Sequence, residues 1–302
     1  MEFRRTRLLS RHTIATEVVD YDLPADPISH LVLTMHGYNV TDEATLAELL
    51  GFLNKVTVSK LGVTILDQES EDLYGVHAYL LQRLPVVTGR LATDDYVRTL
   101  TLVIPFGRRL YDGRECLPAA KKGDRKLRLD TTVPATSWDN AHISVDVVEL
   151  PGASPARYLK TYGVTLAAPA GTGHSDIRLA CGNRLLCHQF RLTTVPTTTS
   201  ITWGINTVAL KLKNQEYRLT SADMMCLQGE RGLRIGCPDA TIAAQGLSPL
   251  NLIAWLDYDP NSDEDGGIDL SAETDAKLDA DYGVAEAEVL TSLELVGTGG
   301  GV

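Results

Sequence analysis

The chain has 302 residues, 44% of them apolar and 22% charged, enough to bury a sizeable core and, at about 150 residues per domain, two of them. This composition excludes intrinsic disorder, and no run approaches the ~20 uninterrupted apolar residues that span a bilayer. The formal net charge of −11 belongs to one end: eight Asp, five Glu and a single Lys lie between Asp257 and Val302, whereas residues 1–256 are close to neutral.

At the other end Arg4, Arg5, Arg7 and Arg11 face only Glu2. This is a basic arm suited to nucleic acid, lipid headgroups or an acidic neighbour, or simply to solvent. No apolar stretch follows the arginines, so the chain is expected to be soluble and to keep its N-terminus. The five cysteines, Cys116, Cys181, Cys187, Cys226 and Cys237, are odd in number and irregular in spacing. That pattern points to reduced thiols rather than a disulfide framework.

Beyond the arm, strand signals dominate. Segments 28–34, 96–104, 125–132, 143–150, 185–194, 208–212 and 251–258 are short, and most alternate apolar with polar residues or Thr, as half-buried antiparallel strands do. Pro105, Gly107, Pro134, Pro151, Pro196 and Gly204 punctuate them with the rhythm of a β-sandwich. Three helices are predicted. One over 41–53 has Thr41 as its cap, acids in its first turn and Leu46, Leu49, Leu50 and Leu53 on one face. A second runs from 71 to 83 with Ser70 as cap, and a third starts after Ser221 and ends near Gly232.

The halves of the chain repeat faintly. A hairpin pattern at 56–66 precedes the helix opening at Ser70, and a hairpin pattern at 208–219 precedes the one opening at Ser221, half a chain later. A strand stands before each unit, at 28–34 and 187–193, and another after it, ending in Val103-Ile104-Pro105 and in Tyr258-Asp259-Pro260. Three elements recurring in order predict two domains of one β-rich plan, joined near 150–155.

Familiar catalytic patterns fail on particular residues. Met35-His36-Gly37 after a strand has the form of an oxyanion-hole entry, and Gly152-Ala-Ser154-Pro-Ala156 that of a nucleophile elbow. The residue after a nucleophile must donate its N–H, and Pro155 has none, so an inter-domain turn is expected there. Gly171-Thr-Gly-His174-Ser175-Asp176 lacks the glycine that a protease turn needs after its serine, and the histidines form no His-x-His pair. Cys181, Cys187, His188 and His174 are zinc-binding residue types without zinc spacing, and adjacent Cys187 and His188 would point to opposite sides of a strand. Read from Asn261, the segment through Asp263, Asp265, Gly266 and Asp269 follows a calcium loop, except that Ala272 takes the place of the bidentate glutamate; a solvated acidic loop is expected. There is no phosphate-binding glycine loop, and Trp138, Trp203 and Trp255 are expected in cores or interfaces. No catalytic, cofactor-binding or metal residue is assigned, and a structural or binding protein is expected rather than an enzyme.

Several stretches, taken in order, resemble a known family. They are Val56-Thr-Val-Ser-Lys60, Ser70-Glu-Asp-Leu-Tyr74, Leu102-Val-Ile-Pro-Phe-Gly-Arg108 with Leu110-Tyr-Asp112, Leu127-Arg-Leu-Asp130 with Val133-Pro-Ala-Thr-Ser-Trp138, and Ala222-Asp-Met224 before Leu227-Gln-Gly-Glu-Arg231. Over roughly 28–235 the chain resembles the double jelly-roll major capsid proteins of tailless icosahedral viruses, the lineage that includes the adenovirus hexon. The resemblance implies an all-β fold of two eight-stranded jelly-roll sandwiches in tandem, with a few short helices in the connecting loops. It implies a basic arm at 1–27, a first roll at 28–150, a linker at 151–160, a second roll at 161–260 and an acidic extension at 261–302.

It further implies a capsid protein of the virion, made in the host cytoplasm, whose trimers present six rolls as a pseudo-hexagonal tile of an icosahedral shell. Its partners would be its own copies and neighbouring capsomers, together with minor capsid or vertex proteins. The basic arm would face an internal membrane or genome, and the acidic tail would clasp a neighbour. The alternative is a two-domain β-sandwich that binds glycans or a receptor as a spike-like module, which the 6% aromatic content disfavours.

Overall fold

The computed structural model describes residues 2–40, 44–88, 95–133, 138–166, 173–192, 204–213, 215–220, 235, 249–263, 266–283 and 288–298. The chain divides into two compact units, Met1–Tyr162 with Gln245–Pro249 and Val296–Val302, and Gly163–Ala244 with Leu250–Leu295.

The first unit contains β1 (Arg4–Thr13), β2 (Glu17–Asp22), β3 (Ile28–Asn39), β4 (Leu53–Lys60), β5 (Val63–Glu69), β6 (Val86–Thr88), β7 (Val97–Pro105), β8 (Arg125–Thr131), β9 (Trp138–Glu149) and the start of β10 (Arg157–Leu166). Antiparallel ladders nest one inside another: β1 with β9, β2 with β8, β3 with β7, β4 with β5. Cross-pairing of β3 with β9 and β4 with β8 gathers these into two sheets, β1-β9-β3-β7-β6 and β2-β8-β4-β5, the latter extended by β10 running parallel to β5. A long hairpin folded over on itself in this way is a jelly roll.

Alternation in the sequence decides which side chains enter. Leu31, Leu33 and Met35 of β3, Leu100 and Leu102 of β7 and Val145 and Val147 of β9 are fully buried, as are Val56, Val58, Leu127 and Leu129 of the other sheet. The free edge of β7 beyond β6 is covered by α2 (Ser70–Leu81), where the Val103 N–H donates to His77 Nδ1 at 2.9 Å. That contact occupies a backbone group an edge would otherwise offer to another strand.

The second unit repeats the plan with β11 (Gly173–Arg178), β12 (Arg184–Arg191), β13 (Ile205–Leu212), β14 (Gln215–Thr220), β15 (Ile253–Asp257), β16 (Ile268–Asp269), β17 (Ala276–Tyr282) and β18 (Glu288–Gly297). Here β11 pairs with β17, β12 with β15 and β13 with β14, all antiparallel, and cross-pairing joins β12 to β18 and β13 to β17. Strand for strand these match β2–β8, β3–β7, β4–β5, β3–β9 and β4–β8. The elements of the sequence repeat therefore occupy equivalent places: the hairpins are β4–β5 and β13–β14, the preceding strands β3 and β12, the following strands β7 and β15. The core of this unit is built from Phe190, Val208, Leu210, Leu256, Leu278, Tyr282 and Leu290.

The boundaries differ from those expected. Residues 1–27 are not an arm apart from the roll, because they supply β1 and β2. Residues 261–302 supply β16, β17 and β18, and 151–160 contains the start of β10. In β17 the apolar Ala276, Leu278, Ala280 and Tyr282 are buried while Lys277, Asp279 and Asp281 face outward, so an acidic stretch is an ordinary two-faced strand.

The first helix, α1, covers only Leu46–Gly51, and Thr45 caps it. The Thr45 Oγ1 accepts from the Glu48 N–H (3.2 Å) while the Glu48 carboxylate accepts from the Thr45 N–H (2.7 Å). Ser70 is the first residue of α2, and its Oγ donates to the Leu50 carbonyl instead of capping. The third predicted helix, Trp203, Cys226, Cys237 and the stretch 222–231 lie outside the described residues. Trp138 and Trp255 are buried.

Three buried histidines make the fold acid-sensitive. Burial lowers His30 and His77 to about 4 and His188 to about 3, from an ordinary 6.5. Between pH 6.5 and those values the unfolded chain takes up protons that the folded chain refuses, so their contribution is complete above 6.5 and is lost as pH falls, by about 3 kcal/mol each for His30 and His77. The expected result is a thermal midpoint that drops steadily from pH 6.5 to about 4, with a shallower slope in His77→Gln. A slope unchanged by that substitution would contradict this assignment.

Candidate functional site

Sequence-distant charges converge at one end of the first unit, where β1 and β3 begin and β7 and β9 run out. The last stretch of β9, Val145 to Glu149, is apolar at Val145, Val147 and Val148, yet it carries Asp146 and the fully buried Glu149. β1 lies opposite, with Arg4 registered on Glu149 and Arg7 on Asp146. Arg4 grips the Glu149 carboxylate with Nε (3.2 Å) and Nη2 (2.6 Å), reaches Asp26 at 2.7 Å, and is joined on Glu149 by the Thr6 hydroxyl at 2.6 Å. Arg5 donates to Asp146 at 2.9 Å, and Arg7 pairs with the same carboxylate. Three of the four arginines of the expected basic arm are therefore paired with the two acids of the neighbouring strand, Arg4 with Glu149 and both Arg5 and Arg7 with Asp146.

A second cluster shapes the connection from β7 to β8. Arg108 binds Glu115 in a fork, Nη2 to Oε1 at 2.6 Å and Nε to Oε2 at 3.0 Å, and Arg157 of β10 adds Nε to Oε1 at 2.8 Å. Burial pushes the Glu115 carboxyl up, but the bonds from Arg108 and the charges of Arg108 and Arg157 outweigh it and hold the group below its ordinary value. Gly107 is required here, because a Cβ at this position would meet the Glu115 carbonyl at 2.0 Å. Arg125 is fully buried and donates to the carbonyls of Pro118 (3.1 Å), Asp26 (2.8 Å) and Pro24. Burial lowers it to about 10, so it keeps its charge at neutral pH.

Chemically these clusters are ties. Guanidinium groups and a carboxyl held low exchange no proton near neutrality, and burial raises the neighbouring Cys116 thiol to about 11, leaving it protonated and unreactive. Sequence reasoning missed Arg108, Glu115, Arg125 and Arg157. Two acids inside the apolar stretch 143–150 signalled that cations must meet them there, and Arg4, Arg5 and Arg7 do so; no sequence pattern pointed to the Glu115 cluster.

The structure separates the residues of the weighed catalytic patterns. His36 stacks on His142 across β3 and β9 with centroids 5.2 Å apart, whereas Ser154 is exposed in the turn beyond the far end of β9. The stretch of strand from His142 to Glu149 alone spans about 23 Å. His174 and Ser175 lie on β11, where His174 Nδ1 meets Asp279 at 3.2 Å; Gly171 lies outside the described residues. Of the zinc-type residues, Cys187 and His188 are buried on β12, with His188 Nδ1 at 3.1 Å from the Tyr258 hydroxyl, while His174 is exposed on β11. In the acidic loop Asp259 Oδ1 accepts from the Asp263 N–H at 3.0 Å, and Asp265 lies outside the described residues. Among the described residues no three metal-binding side chains converge, and no helix is long and apolar enough to cross a membrane.

No protein-family model and no curated protein matches the chain. Solved structures match along its whole length. The STIV MCP, from Sulfolobus Turreted Icosahedral Virus, superposes with a TM-score of 0.70 at 12% identity, covering 99% of this chain and 98% of that one. The major capsid protein P2 of bacteriophage PM2 gives 0.62 at 13% identity over 99% and 100% of the two chains. PBCV-1 VP54 gives 0.62 at 11% over 97% and 94%. The fold of this chain is the double jelly roll of these viral capsid proteins.

The Glu115 cluster is testable by denaturation. Glu115→Ala leaves the Arg108 guanidinium, 6% exposed, without its counter-charge, and is expected to lower unfolding free energy by about 3–5 kcal/mol. Gly107→Ala should act in the same direction through the clash at 2.0 Å. Wild-type stability in both variants would show that the cluster is not a tie.

Proposed function

We propose that the chain is a viral major capsid protein that self-assembles as trimeric, pseudo-hexagonal capsomers tiling an icosahedral shell. The observation that carries this reading is the duplication of one roll within one chain. Three copies of such a chain present six similar rolls around a threefold axis, so a trimer offers near-sixfold edges to its neighbours and can tile a surface. Full-length superposition on viral capsid proteins supports the same reading. The function is mechanical, with no catalytic step, and its place is the virion after synthesis in the host cytoplasm.

The partners of such a capsomer are its own copies, neighbouring capsomers and minor capsid or vertex proteins. The N-terminal strand faces the particle interior, towards a membrane or the genome, with the half-exposed outer sides of Arg4, Arg5 and Arg7. The acidic C-terminal extension, residues 261–302, clasps a neighbour.

Light scattering of the purified protein should give a mass near three times 32.8 kDa, and negative-stain images should show a hexagonal outline. A stable monomer at high concentration would overturn the capsomer reading. Deleting residues 1–11 should abolish the trimer, because it removes most of β1 and leaves Glu149 buried without Arg4.

A further inference from the structure

The end of the first unit that carries the arginine ties also carries a feature the ties do not use. The hairpin between β4 and β5 turns at Leu61-Gly62, and both residues have positive φ, 51° and 82°. Such a turn favours Asn and Gly, so a leucine is a poor choice on backbone grounds. Packing does not explain it, because Leu61 is 65% exposed and the next residue of the hairpin, Val63, is 39% exposed.

Lysines surround this tip. Lys60 registers on Arg125 and Ser59 on Lys126 in the β4–β8 ladder. The Leu61 N–H donates to the Asp124 carbonyl (2.7 Å), and the Asp124 N–H closes the adjoining turn onto the Lys121 carbonyl (3.1 Å). Lys60, Lys121, Lys122 and Lys126 are thus brought to one hairpin end, the last three exposed. Unlike Arg4, Arg5 and Arg7, none of these lysines has an ion-pair partner among the described residues. The Asp124 carboxylate is turned onto the Lys121 N–H at 3.3 Å.

We propose that this end of the first unit docks on a surface of anionic lipid, with Leu61 and Val63 entering the headgroup boundary and Lys60, Lys121, Lys122 and Lys126 meeting phosphates. Charge complementarity selects an anionic occupant, and the aliphatic tip selects lipid among anions. A bilayer interface rewards burial of Leu and Val beside lysines. A single-stranded nucleic acid rewards aromatic planes on which bases stack, and Leu61 and Val63 offer none. The inference does not depend on the capsid reading, since it concerns the free chain; oligomeric mass and lipid binding are read separately.

The test is co-flotation of the purified full-length chain with phosphatidylcholine vesicles prepared with and without phosphatidylglycerol. The chain should float with the anionic vesicles only and be released by high salt. K121E/K122E should lower the partition coefficient about tenfold or more, and L61S/V63S by a similar factor. L84S, which trims an exposed leucine outside this hairpin, should change nothing. Because all these side chains are solvent-facing, thermal melts should stay close to wild type. Failure to float with anionic vesicles, flotation that L61S/V63S leaves intact, or binding to single-stranded DNA in place of vesicles would each overturn the proposal.

Discussion

Each roll depends on backbone pairing between strands that are far apart in the chain. In the first unit the outermost ladder joins β1 to β9, and Arg4 reaches Glu149 across 145 residues of sequence. Inside it the β2–β8, β3–β7 and β4–β5 ladders come at decreasing separation, ending in a tight hairpin. Only when these ladders are in register do the alternating apolar residues of both sheets face a common interior. Topology of this kind places the local β4–β5 hairpin as the natural early contact and the β1–β9 closure as the costliest in chain entropy.

The charged clusters depend on that closure. A sandwich core excludes ions, yet the end of the first unit holds Glu149, Glu115 and Arg125 almost wholly out of water. Carboxylates and cation are met by partners of opposite polarity: Glu149 by Arg4 and Thr6, Glu115 by Arg108 and Arg157, and Arg125 by backbone carbonyls at both Nη atoms, its Nε alone finding no partner among the described residues. Such pairs contribute little net stability compared with apolar packing, but they penalise any register that separates them. They pin β1 onto β9 and the 106–124 connection onto the roll, where turn residues alone would leave alternatives.

Duplication and divergence are visible together. The two units share strand order and cross-pairing but few side chains, just as the whole chain matches the STIV MCP along its length at 12% identity. What a jelly roll demands of its sequence is alternation, turn positions and a few polar ties. Many residues satisfy those demands, so the fold persists where identity does not. The solvent-facing positions between these demands are free to specialise, as the differing charge of the two halves illustrates.

The parts legible in the sequence were those with local periodicity. The central strands β3, β7, β8, β9, β12, β13 and β15, both hairpins, the half-chain repeat and the second helix could be read from alternation and punctuation, because core-facing strands bury one full face. The peripheral strands could not. β1 carries Arg4, Arg5, Arg7 and Arg11 within its ten residues, and the outward face of β17 is Lys277, Asp279 and Asp281, so the charge reads as an arm or a tail unless the partner strand is known. The cap of α1 was misplaced because Thr41 and Thr45 both precede acids. The ties around Glu115 and Glu149 join residues with no sequence relation, so alternation could show that β9 held unsupported acids but not which arginines met them. The amino-acid order by itself determined that the chain folds as paired β-sandwiches built on one plan. Only tertiary structure decided where each roll closes and which charges it matches, because those depend on long-range register, which a period-two pattern leaves open.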